Sequence, residues 1–171
     1  MKKIYTVSLF FILILNEMSA QNNIISTFLL KWENSKNYLL EIAESMPEEN
    51  YTYKPTEREM SFQEQLLHIR ANMVWLSSTY LVSENLVKSE KIDPKTKTEI
   101  IEELILAFDN VTNIIQNFPI EDLATEVDFF AGPKSKLQIL NLMQDHVTHH
   151  RGQLIVYLNL NNMIPPKYSG W

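Results

Sequence analysis

An all-α fold, a four-helix bundle, is what this sequence predicts, on three observations. Four long segments repeat apolar residues at steps of three and four, the spacing of one helix face. No run alternates convincingly in the manner of a strand. Caps and prolines stand where the four segments begin and end. With 171 residues the chain suits one domain with a single core. Amphipathic helices of this length bury their stripes against one another.

Residues 1–20 read as an export signal. Lys2 and Lys3 form a basic start, residues 4–15 are an apolar run, and Ser19-Ala20-Gln21 offers a small residue before a cut after Ala20. Met18 is bulkier than the residue usual at that distance from a cut. An uncleaved anchor is the alternative, but about a dozen apolar residues fall short of the ~20 that span a bilayer. The expectation is a signal peptide at 1–20 and a helical domain at 21–171. The mature protein is then periplasmic or secreted, with no stable membrane span.

The first helix carries Ile25, Phe28, Trp32, Leu39, Ile42 and Met46 on one face, with Ser35 filling the gap, and Pro47 ends it. The second opens on a capping box, Ser61 with Glu64. Its stripe is Phe62, Leu66, Ile69, Met73, Leu76 and Tyr80. The third is predicted to open near Asp93-Pro94, an N-cap followed by a first-turn proline. It carries Ile101, Leu104, Phe108, Val111, Ile115 and Phe118, and stops at Pro119. The fourth opens on another capping box, Ser135 with Gln138, and runs to about Asn162, before Pro165-Pro166. The connections over 48–60 and 119–134 are long for helix hairpins, and such loops often carry function. Phe129-Phe130-Ala131-Gly132-Pro133 in the second is placed to cover a site at one end of the bundle.

Composition excludes several functions. The three glycines, Gly132, Gly152 and Gly170, make neither a dinucleotide nor a P-loop motif. The formal charge is −6 and no Lys/Arg cluster appears, which argues against nucleic acid as a partner. Cysteine is absent, so a lipid-modified cysteine, disulfides, thiolate ligands and a cysteine nucleophile are excluded.

The informative residues are the four histidines. On the fourth helix the interior stripe reads Ile139, Met143, His146, His150, Gln153, Tyr157. His146 and His150 stand one turn apart where a plain bundle would place leucine. Buried imidazole is costly unless its nitrogens find partners. A metal ion satisfies one nitrogen of each ring, and a third imidazole from another helix would complete a site with an open position. His68 lies mid-helix in the second segment, beside Leu66 and Ile69 and on the side of Asn72 and Trp75. The bland alternative is a set of hydrogen-bonded core histidines. His149 lies roughly 60° from His146 around the helix, which suits a supporting or groove-lining residue, or a surface one.

DHVTHHRGQ, followed by PPKYSGW, resembles the C-terminal signature of the DinB/YfiT-like metalloenzyme superfamily. MPEENYTYKPTEREMSFQEQLLHI resembles that family's loop into its second helix. The resemblance covers nearly all of the chain after the signal, in matching order. It implies an up-and-down-type four-helix bundle with its own helix order. It also implies metal ligation by His68, His146 and His150, with zinc or nickel as the ion. Some relatives are thiol-dependent S-transferases, and dimers occur among relatives, so a homodimer is compatible with the resemblance.

Other signature residues carry two readings each. Gly152 either permits a close helix approach or tolerates crowding beside the histidines. Gln153 either serves the ligands or is a satisfied bundle amide. Arg151 points away from the histidine face, which favours salt-bridging or capping. Tyr168 and Trp171 either cover the pocket or pack on the bundle. No proton shuttle is compelling. Asp145 points about 100° away from His146, and Glu57, Glu59 and Glu64 would have to fold inward. The leading reading is therefore a metal-dependent hydrolase or thiol transferase acting on a small molecule, its catalytic acid and base unassigned. Hydrolysis needs only water, whereas low-molecular-weight thiols are chiefly cytosolic, so export favours the hydrolase. The alternatives are a non-catalytic metal-binding protein and a plain interaction bundle. A pocket above His68, lined by Trp75 and Phe129, would favour an enzyme.

Overall fold

The computed structural model describes residues 2–82 and 96–171, with side chains from residue 24 onward. Its helices are α1 (Lys2–Ser45), α2 (Phe62–Leu76), α3 (Lys97–Gln116) and α4 (Lys136–Leu160). The predicted signal lies in the first half of α1, where side chains are outside the described set. Among the described residues no helix is long and apolar enough to cross a membrane.

The helices pack as a bundle whose order around the circumference is α1, α3, α2, α4. The sequential pairs α1/α2 and α3/α4 therefore sit diagonally. A chain crossing a bundle end needs more residues than a hairpin between neighbours, which accounts for the long connections over 48–60 and 119–134. The same order makes α2 and α4 neighbours.

The predicted stripes form the core. Trp32, Leu39 and Ile42 of α1 and Met46 just past its end are buried, as are Phe62, Leu66, Ile69, Met73 and Leu76 of α2 and Leu104, Phe108, Val111 and Ile115 of α3. Each such burial contributes roughly 1.5–3 kcal/mol. Ser35 does more than fill a gap: its hydroxyl accepts from Gln144 Nε2 at 2.9 Å, joining α1 to α4 through a buried polar seam. Ile25 and Phe28 are only partly buried.

The capping boxes at Ser61 and Ser135 are present as predicted. The third helix opens differently. Asp93 and Pro94 lie outside the described residues, and α3 is capped by Thr96, whose hydroxyl accepts from Glu99 N while Glu99 accepts from Thr96 N. A box of the same chemistry lies three residues past the proline signal. The α-helical part of α2 ends at Leu76, and Tyr80 sits in a π-helical turn, Ser77–Leu81. Such a turn rotates the residues beyond it around the helix axis.

Both long connections are ordered. Residues 48–60 hold a 3-10 turn, Glu48–Asn50, and Tyr51, whose buried hydroxyl donates to Ala43 O at 2.8 Å. Residues 119–134 hold a 3-10 turn, Ile120–Ala124, and strand β1 (Glu126–Val127), which pairs antiparallel with β2 (Lys134–Ser135). Two-residue strands are too short to show alternation, so the sequence gives no sign of them. Gly132, at φ 90°, takes the left-handed conformation that turns the hairpin tip. α4 ends on Asn162 at φ 59°, with Met163 N donating to Leu158 O at 2.9 Å, a closure that asparagine tolerates in place of glycine. The tail then packs on the bundle. Tyr168 stands edge-on to Tyr38 at 6.1 Å, and Asn34 Nδ2 donates to Trp171 O.

Candidate metal centre

Because α2 and α4 are neighbours, His68 meets His146 and His150. The ring centroids lie 4.8 Å (His68–His146), 4.7 Å (His68–His150) and 4.4 Å (His146–His150) apart. One nitrogen from each ring falls within 4.8 Å of the others, a grouping able to hold a metal ion. His150 is buried, while His68 and His146 are half-buried.

The protonation state suits a cation. Burial, then the neighbouring His150, His68 and His149, push the pKa of His146 down to about 4. Burial, then His68 and His149, push His150 down to about 4, against a smaller upward pull from Gln153. Burial also lowers His68. All three rings are thus neutral near pH 7, each with one nitrogen lone pair available.

The donor geometry fits as well. His146 Nε2 and His68 Nε2 lie 3.1 Å apart. Two imidazoles bound at ~2.0–2.1 Å in tetrahedral geometry would place their nitrogens about 3.3 Å apart. At most one proton can lie between these two atoms, so at least one is a bare acceptor. His150 Nδ1 lies 2.5 Å from Gln65 Oε1. A carbonyl oxygen carries no proton, so Nδ1–H donates and the Nε2 lone pair faces away from Gln65, available to an ion. His146 Nδ1 is buried without a partner.

Gln65 is the residue that sequence reasoning missed. It is buried on α2, three residues before His68. Its Nε2 donates to Gln153 Oε1 at 2.6 Å and reaches Tyr157 Oη at 3.4 Å. Tyr157 in turn donates to Met60 O at 2.8 Å. Gln153 Nε2 lies 3.0 Å from His149 Nε2. Gln153 therefore supports the residue that orients His150. His149 is exposed and outside the cluster, linked to it through these two amides. One signal was available: Gln65 falls between Phe62 and Ile69 on the apolar stripe, a polar residue at an interior position.

Two signature residues depart from expectation. Arg151 is 4% exposed and makes no ion pair among the described residues. Its guanidinium stacks over Tyr38 at 4.9 Å, burial lowers its pKa, and Nη1 has no partner. About 100° from His150 on the helix, it faces α1 rather than solvent. Gly152 neither permits a close approach nor relieves crowding: a Cβ there would meet nothing within 4 Å, because it sits on the solvent side of α4.

The glutamates near α2 are not in the cluster. Glu64 pairs with Lys54 at 3.0 Å, and the Ser61 N–H, then Lys54, hold its carboxyl below the usual range. Glu57 and Glu59 are exposed. A cavity of about 580 Å³ adjoins His146, walled by Trp75, Phe129 and Phe130 and edged by Asn72 and Asp145. Trp75 and Phe129 line a pocket as expected, but it opens against His146 rather than His68. The phenylalanine pair of the 119–134 connection does cover it.

The chain is 29% identical over 150 residues to the uncharacterized protein YjoA of Bacillus subtilis strain 168, an alignment spanning 82% of this chain and 90% of YjoA. The crystal structure of B. subtilis YjoA, a DinB-like protein, superposes with a TM-score of 0.69 at 21% identity, over 84% of this chain and 96% of that one. A DinB-like protein from Bacillus cereus ATCC 10987 superposes with a TM-score of 0.68 at 19% identity, over 82% and 95% of the two chains. These superpositions establish the fold. The DinB family model matches residues 18–166, and the chain belongs to the DinB family.

Proposed function

We propose that this chain is an exported metal-dependent enzyme, a hydrolase or transferase that acts on a small molecule beside His68, His146 and His150. The observation that carries this reading is the juxtaposition of three neutral, converging imidazoles with an aromatic-walled cavity that shares His146. Pockets of this size and lining suit small ligands. Three imidazoles suit zinc or nickel. Such an ion, when bound, supplies Lewis acidity and lowers the pKa of water towards ~7. The chain's own contribution is positional. Gln65 fixes the tautomer of His150, and burial keeps all three rings unprotonated. Phe129 and Phe130 give the cavity an apolar wall.

Residues 1–20 serve, in this reading, as a cleaved export signal for a domain at 21–171. Export favours hydrolysis over thiol transfer. A non-catalytic metal-binding role is the second reading, and one observation favours it: no carboxylate joins the histidine cluster among the described residues.

The test is elemental analysis of the purified mature protein, followed by ester, amide and thiol-transfer screens with His150→Ala as control. About one zinc or nickel per chain, with turnover lost in the variant, supports the enzyme. Stoichiometric metal without turnover supports the second reading. Absence of metal and of uptake on titration overturns both. Sequencing the N-terminus of the exported protein tests the cut after Ala20 separately.

A further inference from the structure

The cavity beside His146 has an uneven chemical character. Trp75 and Phe130 lie nearly parallel, 29° apart with centroids at 6.3 Å. Phe129 packs at 6.1 Å from Trp75 and 4.3 Å from Phe130. Phe130 is 83% exposed, a ring held at the cavity mouth without burial of its own. Two acceptors at this cavity have no partner among the described residues, one of them enclosed and one on the wall. Asn72 Oδ1 is buried without a hydrogen-bond partner, and a buried acceptor without a donor is unfavourable. The Asp145 carboxylate lines the same cavity and makes no ion pair among the described residues. Lys134, also on the wall, turns its ammonium to the carbonyls of Ala131, Gly132 and Pro133 at 3.3, 3.3 and 3.2 Å. Its N–H donors are taken up by the backbone of the hairpin.

We propose that this cavity selects a small primary amine borne on an aromatic or flat apolar body. The proposal rests on the small-molecule reading above and adds the substrate class. The flat body lies against the aromatic wall. The ammonium pairs with the Asp145 carboxylate on the wall, and aromatic faces favour a cation. A carboxylate on the same body would be repelled by Asp145, and the donors of Lys134 are already turned to the hairpin carbonyls.

The test is calorimetric titration of the full chain with benzylamine, benzyl alcohol and benzoate, which share a ring and differ in charge. It is run on protein as isolated and after chelation, so that amine ligation of a metal is separated from recognition by the cavity. Benzylamine should bind about tenfold more tightly than benzyl alcohol in both preparations, a difference of about 1.4 kcal/mol, with benzoate weakest. Asp145→Asn should bring benzylamine down to the alcohol's affinity. Phe130→Ala, at an exposed ring whose loss leaves the core intact, should weaken all three ligands together. Equal binding of the three, tighter benzoate, an unchanged Asp145→Asn or a preference that vanishes on chelation would overturn the proposal. Metal content measured on the same samples separates the two readings. Metal without amine preference overturns this proposal alone, and amine preference without metal overturns the metal reading alone.

Discussion

His150 is held at Nδ1 by Gln65, whereas His149 bonds to Gln153 and packs edge-on against His150 from the exposed side, outside the ligand cluster. His150→Ala should therefore abolish stoichiometric metal binding, while His149→Ala should only weaken it, as read by titration with zinc. Equal loss from both would mean that the cluster uses the other face of α4. Gln65→Leu keeps side-chain bulk but removes the acceptor, and should weaken zinc affinity about 10–100-fold. The pH dependence of the metal-free chain is set by the lowered pKa values. His146 and His150 take up protons at about 4 when folded and at about 6.5 when unfolded. Between those values the unfolded chain binds more protons, so stability rises with pH. It is complete above about pH 6.5, falls progressively towards pH 4 and is flat below, as far as these groups are concerned. The urea midpoint should be lower at pH 5 than at pH 7, with a smaller difference in His150→Ala. The histidines were legible in the sequence because they occupy interior positions of an apolar stripe. The setting of Arg151 was not, because stacking on Tyr38 depends on how α1 and α4 are rotated against each other, which no local pattern encodes.

At the scale of elements, the caps at Ser61 and Ser135 were legible because a capping box is complete within four residues. The opening of α3 was ambiguous for the same local reason. Asp93-Pro94 and Thr96–Glu99 are competing signals three residues apart, and proximity in sequence does not rank them. The hairpin β1–β2 was invisible, since it is specified by the crossing it makes between diagonal helices and not by strand periodicity. Gly152 offers a direct test of α4. A glycine inside a helix costs about 0.5–1 kcal/mol relative to alanine, and nothing lies within 4 Å of the missing Cβ. Gly152→Ala should raise Tm by about 2–4 °C per kcal/mol gained and leave metal binding unchanged. A lower Tm would show that this exposed face of α4 meets something, such as a second copy of the chain.

For the whole molecule, a metal held by His68 and His146 would join residues 78 positions apart, so its binding energy would act on the fold and not on one helix. Saturating zinc should raise Tm, with about 4 kcal/mol of stabilisation at a thousandfold excess over Kd, and a chelator should reverse it. An unchanged melt in thermal scans would reduce the histidines to polar core residues. The bundle class was legible from four stripes. The order α1, α3, α2, α4 was signalled only by connection length, since periodicity says which face is buried and not against which neighbour. That order has a mechanical consequence. Consecutive residues of α4 grip different neighbours: His150 is tied to α2 through Gln65, and Arg151 is stacked on Tyr38 of α1. A helix held on two sides at one level cannot roll about its axis without breaking one hold or the other. The imidazoles of α4 are thus aimed at His68 by folding itself, so an arriving ion would meet a socket already set, with Tyr168 of the tail edge-on to the same Tyr38 that Arg151 grips.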